Sequence, residues 1–284
     1  MSDKTYSAAI EVRGLRVDIG DARLLDDITF AARPGEVTGL IGPNGAGKST
    51  LLAALSGDVE RSAGTVSVCG LDPVSAGAQA MARCRAVMLQ DVRVSFEFLV
   101  RDVVAMGRRP WRGTDKERLD DAVIDASLAA TGTNHLAARD IVTLSGGERA
   151  RVALARVLAQ ETPVVFLDEP TAAMDIRHQE QVLSLVRELA HTTGVAVVIV
   201  LHDLNAAAAY CDHIVCLSNG RIAADGPVDA VYTDSTLSDV YGWPVKVSRR
   251  TDGAISVLPR RRDPPDSANS LLSLFHPTPT SDKE

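Results

Sequence analysis

The segment that most constrains the fold is glycine-rich and has the form G-x4-G-K-[ST]. The residues before it, 36–41, predict a short buried strand, and residues 49–55 predict the first turns of a helix. In such a turn, consecutive backbone N–H groups bind anionic oxygens, helped by the positive end of the following helix. We therefore predict a phosphate-binding loop in which Lys48 reaches the β- and γ-phosphates of a nucleotide and Ser49 ligates Mg²⁺. The loop residues are Gly42, Pro43, Asn44, Gly45, Ala46, Gly47, Lys48, Ser49 and Thr50.

Composition and charge narrow the class of protein. The 284 residues are 45% apolar and 24% charged, as in ordinary globular proteins. The net charge of −7 argues against nucleic acid as a partner. The longest apolar run near the end of the chain, residues 195–201, is far shorter than the roughly 20 residues of a membrane-spanning helix. The chain is therefore expected not to cross a membrane by itself. Four cysteines without C-x-x-C or metal-ligand spacing are expected to be reduced thiols: Cys69, Cys84, Cys211 and Cys216.

The order of the segments is typical of an α/β protein. Residues 9–41 and 64–68 predict β-strands, and residues 75–160 predict a mainly helical stretch. Beyond Pro163, apolar strands at 164–167 and 195–201 flank an amphipathic helix. Continuously apolar strands that alternate with helices indicate a mostly parallel sheet covered on both faces. The apolar face of the helix consists of Val182, Leu185, Val186 and Leu189.

Local signals predict three further features. Thr114 and Glu117 have the spacing of a capping box ahead of a helix that contains Leu128. Residues 245–258 predict a β-hairpin that turns at Asp252-Gly253. After Pro259 the composition shifts to Pro, Ser, Thr and Arg, which predicts a tail without packed structure.

Two acidic residues follow the strand at 164–167. The carboxyl end of a buried strand is where nucleotide chemistry takes place in open α/β sheets. Asp168 is therefore predicted to hold Mg²⁺, and Glu169 to orient or deprotonate the water that attacks the γ-phosphate. The alternative is a strand that simply ends in two solvated acids.

A second glycine motif follows Leu144. Ser145 and Glu148 have the spacing of a capping box, so one interpretation is an ordinary helix start. Gly146 and Gly147 would weaken that helix by about 1 kcal/mol each relative to alanine. We therefore expect that stability alone does not select them, and that their backbone N–H groups approach an anion.

Taken in order, Lys48, the segment 144–148, Asp168-Glu169 and His202 resemble the ATPase subunit of ABC transporters. The resemblance covers roughly residues 9–258. It implies a P-loop NTPase core with a mostly parallel sheet, an N-terminal antiparallel β subdomain and an inserted helical subdomain at about 88–160. The ATPase domain would then span residues 1–258, followed by a disordered tail at 259–284.

The family also implies how nucleotide is bound. Two such subunits sandwich two ATP molecules with Mg²⁺. Each site combines the phosphate loop of one chain with the signature turn of the other, which here is the segment 144–148. By this resemblance, Ser145, Gly146 and Gly147 contact the γ-phosphate held by the partner. The resemblance also implies that Asp175 crosses the interface between the two subunits and that His202 contacts the γ-phosphate. It implies that Gln90 contacts Mg²⁺ and the attacking water. The family often carries an adenine-stacking aromatic residue where this chain has Ile19, so apolar contact is expected there instead.

Other segments resemble importers of haem, ferric siderophores and cobalamin. The stretch from Phe96 to Pro110 is similar to that group, and residues 155–160, 175–179 and 241–245 are closer to its hemin-import branch. This resemblance implies two transmembrane permease subunits as partners, an extracytoplasmic substrate-binding protein acting indirectly, and a peripheral location on the cytoplasmic face of the membrane. It also implies contact between the stretch after Gln90 and the permease. The alternative is that Phe96 and Phe98 belong to the core of the helical subdomain.

Hemin is the expected substrate, and a ferric siderophore or cobalamin is the alternative. A non-transport ABC ATPase of DNA repair or translation is a further alternative. The stretch between Lys48 and Ser145 is too short for the long coiled coil of repair proteins and shows no sustained heptads. Translation factors carry two cassettes in one chain, whereas this sequence has one set of motifs.

Overall fold

The structure is a computed structural model and describes residues 8–89 and 97–261. Its strands are β1 (Ile10–Ile19), β2 (Ala22–Ala32), β3 (Val37–Ile41), β4 (Ala63–Val68), β5 (Arg85–Met88), β6 (Val164–Asp168), β7 (Ala196–Val200), β8 (His213–Ser218), β9 (Arg221–Pro227), β10 (Val245–Arg249) and β11 (Ile255–Pro259). Its α-helices are α1 (Lys48–Ser56), α2 (Ala78–Cys84), α3 (Val100–Ala105), α4 (Asp120–Ala130), α5 (Gly146–Ala159), α6 (Ile176–Thr193), α7 (Leu204–Tyr210), α8 (Val228–Val231) and α9 (Asp234–Tyr241). Short 3-10 helices cover Met106–Trp111, Asp115–Leu119, Asn134–Leu136 and Ile141–Thr143.

The central sheet has six strands in the order β5-β6-β7-β3-β8-β9. Neighbouring strands from β5 to β8 are parallel, and β9 is antiparallel to β8. Every residue of β3, β6 and β7 is buried, because helices or the second sheet cover both faces. The predicted α/β fold with a mostly parallel sheet is confirmed.

The second sheet is antiparallel and has the order β2-β1-β4. Its inner face shares one apolar cluster with α1 and with one face of the central sheet. This sheet confirms the N-terminal antiparallel β structure expected from the sequence. The loop between β3 and α1 lies beside it, so both sheets help to fix the position of that loop.

Helices α3, α4 and α5 form a layer with its own apolar cluster. Val104 of α3, Leu128 of α4 and Val152 of α5 are all buried in it. A different face of α5 packs on the central sheet through Leu154 and Val157. Helix α5 therefore belongs to both layers, and the boundaries of about 88–160 for the helical subdomain stay a prediction.

The prediction of a mainly helical stretch between residues 75 and 160 is wrong over β5. This strand pairs in parallel with β6, and Ala86 and Met88 are buried against the sheet. Four residues are too few to show a helical or strand period in sequence, so pairing with β6 decides the conformation.

The capping box predicted at Thr114 and Glu117 is also wrong. The Thr114 hydroxyl donates to the carbonyl of Trp111 at 2.6 Å, and the Glu117 carboxylate accepts from the Gly113 N–H at 2.7 Å. Residues Asp115–Leu119 form a 3-10 helix, and α4 begins only at Asp120. Both side chains stabilise a turn rather than the start of an α-helix.

The predicted helix over 178–192 is confirmed as α6, and Gly194 ends it with a φ of 77°. Its most buried face is rotated slightly from the predicted one. Val182 and Val186 are buried as expected, but Leu185 and Leu189 are only half-buried. The predicted C-terminal hairpin is confirmed as β10 and β11, which pair antiparallel. The disordered tail predicted at 259–284 is wrong at its start, because Pro259 ends β11 and the Arg260 N–H donates to the carbonyl of Pro244 at 2.8 Å. The tail from residue 262 lies outside the described residues.

Two further findings concern apolar surface. Phe98 is 39% exposed, which contradicts its placement in the core of the helical subdomain, and Phe96 lies outside the described residues. Among the helices of the described ranges, none combines the length and apolar character needed to cross a membrane.

Candidate nucleotide-binding site

The predicted phosphate loop connects β3 to α1 at the carboxyl edge of the central sheet. Gly42 and Gly47 have φ values of 143° and 102°, which side-chain-bearing residues rarely adopt. A Cβ atom on Gly42 would lie 2.2 Å from the carbonyl oxygen of Leu217, so only glycine fits there. By contrast, a Cβ on Gly45 would meet no atom within 4 Å. The loop is therefore closely packed on its sheet side and open above Gly45.

The backbone of the loop fits an anion. Among the described residues, the N–H groups of Gly45, Gly47, Lys48 and Ser49 donate no hydrogen bond. Helix α1 has no side-chain N-cap and no acidic residue in its first turn. The free N–H groups and the positive end of the helix therefore provide an uncompensated anion-binding site of the kind that phosphates occupy.

Lys48 is buried at the same place. Its ammonium group donates to the carbonyls of Gly42 and Pro43 at 2.7 and 3.0 Å. Burial lowers the pKa of Lys48, while the nearby carboxylates of Glu169 and Asp168 oppose that shift. The loop carbonyls thus keep the ammonium group directly beside the free N–H groups.

Asp168 is buried at the carboxyl end of β6. One carboxylate oxygen lies 3.5 Å from the hydroxyl of Ser49. Burial raises the pKa of Asp168, and the Ser49 hydroxyl and Lys48 act in the opposite direction. A hydroxyl beside a buried carboxylate is an oxygen donor set that suits Mg²⁺, which often takes one or two protein ligands together with phosphate oxygens. Within the described ranges, no group of three or more His, Cys, Asp or Glu side chains could hold a metal without such phosphates.

Glu169 follows with a φ of 49°, an unusual conformation for a residue with a side chain. Its N–H donates to the carbonyl of Val200 on β7 at 3.3 Å. Its carboxylate lies 2.5 Å from the Nε2 atom of His202. His202 comes two residues after the end of β7. Strained backbone of this kind is frequent at functional sites, where it aims a side chain. Here the conformation brings the carboxylate and the imidazole together.

These residues line one cleft of about 510 Å³. It joins the phosphate loop to Glu169 and His202, and Ser49 connects it to Asp168. Leu24 of β2 also lines the cleft and was missed by sequence reasoning, because it belongs to no motif. The lining residues are Leu24, Asn44, Gly45, Gly47, Lys48, Ser49, Thr50, Glu169 and His202.

The remaining loop residues support the cleft from below. Ala46 is buried, and its carbonyl accepts from the N–H of Gly220 at 3.1 Å. The carbonyl of Pro43 accepts from the N–H of Ala46 at 3.2 Å as well as from Lys48. Ile19 at the end of β1 is 54% exposed. Gln90 lies outside the described residues.

The signature turn begins α5, and its capping box is present. The Ser145 hydroxyl accepts from the Glu148 N–H at 3.3 Å, and the Glu148 carboxylate accepts from the Ser145 N–H at 2.8 Å. A Cβ on Gly147 would lie 3.0 Å from the carbonyl oxygen of Ala173. Close packing therefore gives a structural reason for Gly147 that sequence reasoning did not provide.

The signature turn is not part of the cleft in the same chain. Ser145, Gly146 and Gly147 are absent from the described residues that line it. Asp175 is also outside that lining and caps α6, where it accepts from the His178 N–H at 2.9 Å. Of the predicted site residues, the structure thus brings the phosphate loop, Asp168, Glu169 and His202 together, whereas the signature turn and Asp175 do not line the cleft.

Comparison with known proteins agrees with this arrangement. The model of the ABC transporter family matches residues 25–172. Hemin import ATP-binding protein HmuV from Streptomyces coelicolor is 51% identical over 249 residues, which cover 87% of this chain and 89% of that protein. Cobalamin import ATP-binding protein BtuD from Halobacterium salinarum is 46% identical over 256 residues, which cover 88% of this chain and 63% of that protein.

A solved structure of an ABC transporter assigned to the metal-chelate type, in an inward-facing conformation, is also similar. It aligns with a TM-score of 0.77 at 26% identity and covers 90% of this chain and 98% of its own. The family match spans more than half of the chain, and the relatives extend over most of it. The chain therefore belongs to the ABC transporter family, as an ATP-binding subunit.

Proposed function

We propose that this chain is the ATP-hydrolysing subunit of an ABC importer and that hemin is the imported substrate. The cleft carries the proposal, since it joins the phosphate loop to Glu169 and His202. Free backbone N–H groups, a lysine, a hydroxyl beside a buried carboxylate, and a second carboxylate are the parts required for phosphoryl transfer to water. Catalysis would rest on positioning and on charge neutralisation, because this reaction needs little covalent chemistry from the protein.

In this proposal the loop from Gly42 to Thr50 encloses the β- and γ-phosphates of ATP. Lys48 would exchange its loop carbonyls for phosphate oxygens, which are stronger acceptors for an ammonium group. Ser49 and Asp168 would hold Mg²⁺, and Gln90 is proposed to contact the ion and the attacking water. Bound Mg²⁺ supplies further neutralisation of the phosphate charge.

Glu169 is proposed as the general base. Its carboxylate would orient the attacking water and accept one proton from it as the bond from the water oxygen to the γ-phosphorus forms. The bond between the γ-phosphorus and the oxygen that bridges to the β-phosphate breaks, so that ADP leaves with that oxygen and inorganic phosphate is released. His202 would hold the carboxylate in place, given their separation of 2.5 Å, and would contact the γ-phosphate. General-base assistance of this kind contributes about 10² to 10⁴ in rate.

We propose that a second copy of the chain completes each site. The absence of Ser145, Gly146 and Gly147 from the lining of the cleft in their own chain supports this arrangement. Their N–H groups, at the positive end of α5, would bind the γ-phosphate held by the partner, and Asp175 would lie at the shared interface. ATP would then do mechanical work because it binds the closed dimer better than the open one.

The remaining partners are proposed from the relatives. Two transmembrane permease subunits would bind the dimer and keep it at the cytoplasmic face of the membrane, and an extracytoplasmic binding protein would deliver the substrate. The ATPase domain is proposed to span residues 1–258, with the helical subdomain at about 88–160 contacting the permease. Identity of 51% to a hemin import protein favours hemin, and 46% identity to a cobalamin import protein keeps cobalamin as the alternative, alongside a ferric siderophore.

Uptake by reconstituted vesicles tests this proposal. The chain is assembled with the permease and binding protein encoded by the same organism, and ATP-dependent uptake of hemin, cobalamin and a ferric siderophore is measured. Hemin uptake that stops with Glu169→Gln supports the proposal. Uptake of only cobalamin or a siderophore would contradict the assignment of hemin as the substrate. The absence of ATP hydrolysis by the full assembly would contradict the proposed ATPase function.

A further inference from the structure

A tyrosine from the far end of the chain contacts the phosphate loop. Tyr241, the last residue of α9, accepts a hydrogen bond through its hydroxyl oxygen from the Gly42 N–H at 3.0 Å. The two residues are 199 positions apart in sequence. Burial raises the pKa of Tyr241, so the hydroxyl stays neutral at physiological pH. Neither Tyr241 nor Gly42 is among the described residues that line the cleft.

Both polar backbone groups of Gly42 are therefore fixed by side chains. Tyr241 holds the N–H, and the Lys48 ammonium group holds the carbonyl at 2.7 Å. Lys48 is expected to leave this carbonyl when phosphate binds, whereas the Tyr241 contact does not compete with phosphate. Tyr241 thus anchors the point at which β3 becomes the loop, independently of the nucleotide.

Tyr241 is itself held rigidly by the C-terminal segment, which we define as residues 228–260. Tyr232 of this segment is buried, and its hydroxyl donates to the carbonyl of Leu204 at 2.9 Å. Asn205 on α7 accepts from the Val257 N–H at 2.7 Å and donates to its carbonyl at 3.4 Å. Apolar residues of the segment share one cluster with β3 and β8. Three hydrogen bonds to the start of α7 and an apolar core therefore fix the segment to which Tyr241 belongs.

We infer that Tyr241 is a positioning residue for nucleotide binding, which keeps the phosphate loop in its binding-competent conformation. This inference rests on the proposed ATPase function. It extends the set of residues that support nucleotide binding to a part of the chain outside the nucleotide motifs. Without the hydroxyl, the Gly42 N–H is left unpaired beside the sheet, and the loop samples other conformations. The apparent Kd for a ligand rises in proportion as the competent fraction of the protein falls.

The test compares Tyr241→Phe with Tyr210→Phe in the full chain. The control removes an exposed hydroxyl whose contacts, Glu180 and Ser184, lie on α6 outside the cleft. One net hydrogen bond corresponds to about a two- to tenfold change in an equilibrium constant. Tyr241→Phe is expected to raise the Kd and KM for ATP by that factor and to leave kcat at saturating ATP unchanged, while Tyr210→Phe leaves both unchanged. Partial unfolding would instead lower kcat and leave KM unchanged.

Amide hydrogen exchange of the wild-type, nucleotide-free chain provides a second measurement that needs no variant. The Gly42 N–H is expected to exchange more slowly than those of Gly45 and Gly47, which have no acceptor among the described residues. Equal KM values for wild type and Tyr241→Phe, or an unprotected Gly42 N–H, would overturn the inference. A wild-type chain that neither binds nor hydrolyses ATP would instead overturn the proposed function, so the two failures are distinguishable.

Discussion

The substitution Glu169→Gln gives the most specific test of a single residue. It removes the ability of the side chain to accept a proton and leaves its size unchanged. Glutamine has the same size and can keep the contact with His202 Nε2, now 2.5 Å from the carboxylate. It occupies the same backbone position, with a φ of 49°, without adding atoms. What it loses is the ability to accept a proton at neutral pH.

The expected loss follows from that chemistry. A positioned general base contributes about 10² to 10⁴ in rate. At 1.36 kcal/mol for each factor of ten, this corresponds to about 2.7 to 5.4 kcal/mol of transition-state stabilisation. ATP binding depends on the loop N–H groups and Lys48, which the substitution leaves intact. Turnover is therefore expected to fall by at least about 100-fold, with ATP affinity retained and the dimer held closed.

Phosphate release at saturating MgATP measures the turnover, and equilibrium binding of labelled ATP measures the affinity. Glu180→Gln is the matched control, because Glu180 lies on α6 outside the cleft and contacts Tyr210. This control is expected to hydrolyse ATP at the wild-type rate. Turnover of Glu169→Gln within tenfold of wild type, with normal ATP binding, would refute the assignment of Glu169 as the base.

Two further predictions concern buried charges. The raised pKa of Asp168 means that burial disfavours its ionised form, so this group destabilises the nucleotide-free fold as pH rises above its ordinary value of 3.8. Asp168→Asn should therefore raise the melting temperature at pH 7, lose that gain towards acid pH, and abolish Mg²⁺-dependent hydrolysis; a lower melting temperature at pH 7 would contradict this. Arg108 is 2% exposed and pairs with Asp120 at 2.7 Å and Glu161 at 2.5 Å. Arg108→Met removes the cation from Asp120 and Glu161, whose side chains are 30% and 36% exposed, so water can partly replace it. The expected loss is about 1 to 3 kcal/mol in urea unfolding, and an unchanged free energy of unfolding would contradict this.

Much of the fold and of the cleft could be predicted because the decisive signals are local. The strand before Gly42, the helix after it and the acids after β6 each lie in a short run of residues whose pattern indicates its structure without reference to the rest of the chain. The geometry that brings Glu169 and His202 together follows from the adjacent positions of β6 and β7 in a parallel sheet. The error at β5 arose because a short segment takes its conformation from β6, which is distant in sequence. The error at Thr114 arose because its hydroxyl bonds back to Trp111 and stabilises a turn instead of capping a helix.

Other features could not be predicted from the local sequence. Nothing in the residues around Tyr241 indicates a bond to Gly42, because the contact depends on how α9 folds back against β3. The approach of Gly147 to Ala173 likewise depends on packing between α5 and the loop before α6. The roles of Ser145 and Asp175 were inferred from resemblance, and their absence from the lining of the cleft is consistent with a site that one chain does not complete.

That shared site is the central claim, and mixing two inactive variants tests it most directly. Lys48→Ala removes the ammonium group from the phosphate loop, and Ser145→Arg blocks the signature turn, so each variant alone should form dimers without an intact site. A mixed dimer combines the intact loop of one chain with the intact turn of the other. ATP hydrolysis should therefore reappear on mixing, whereas a mixture as inactive as its components, or a Ser145→Arg variant that hydrolyses ATP at the wild-type rate by itself, would contradict the shared site.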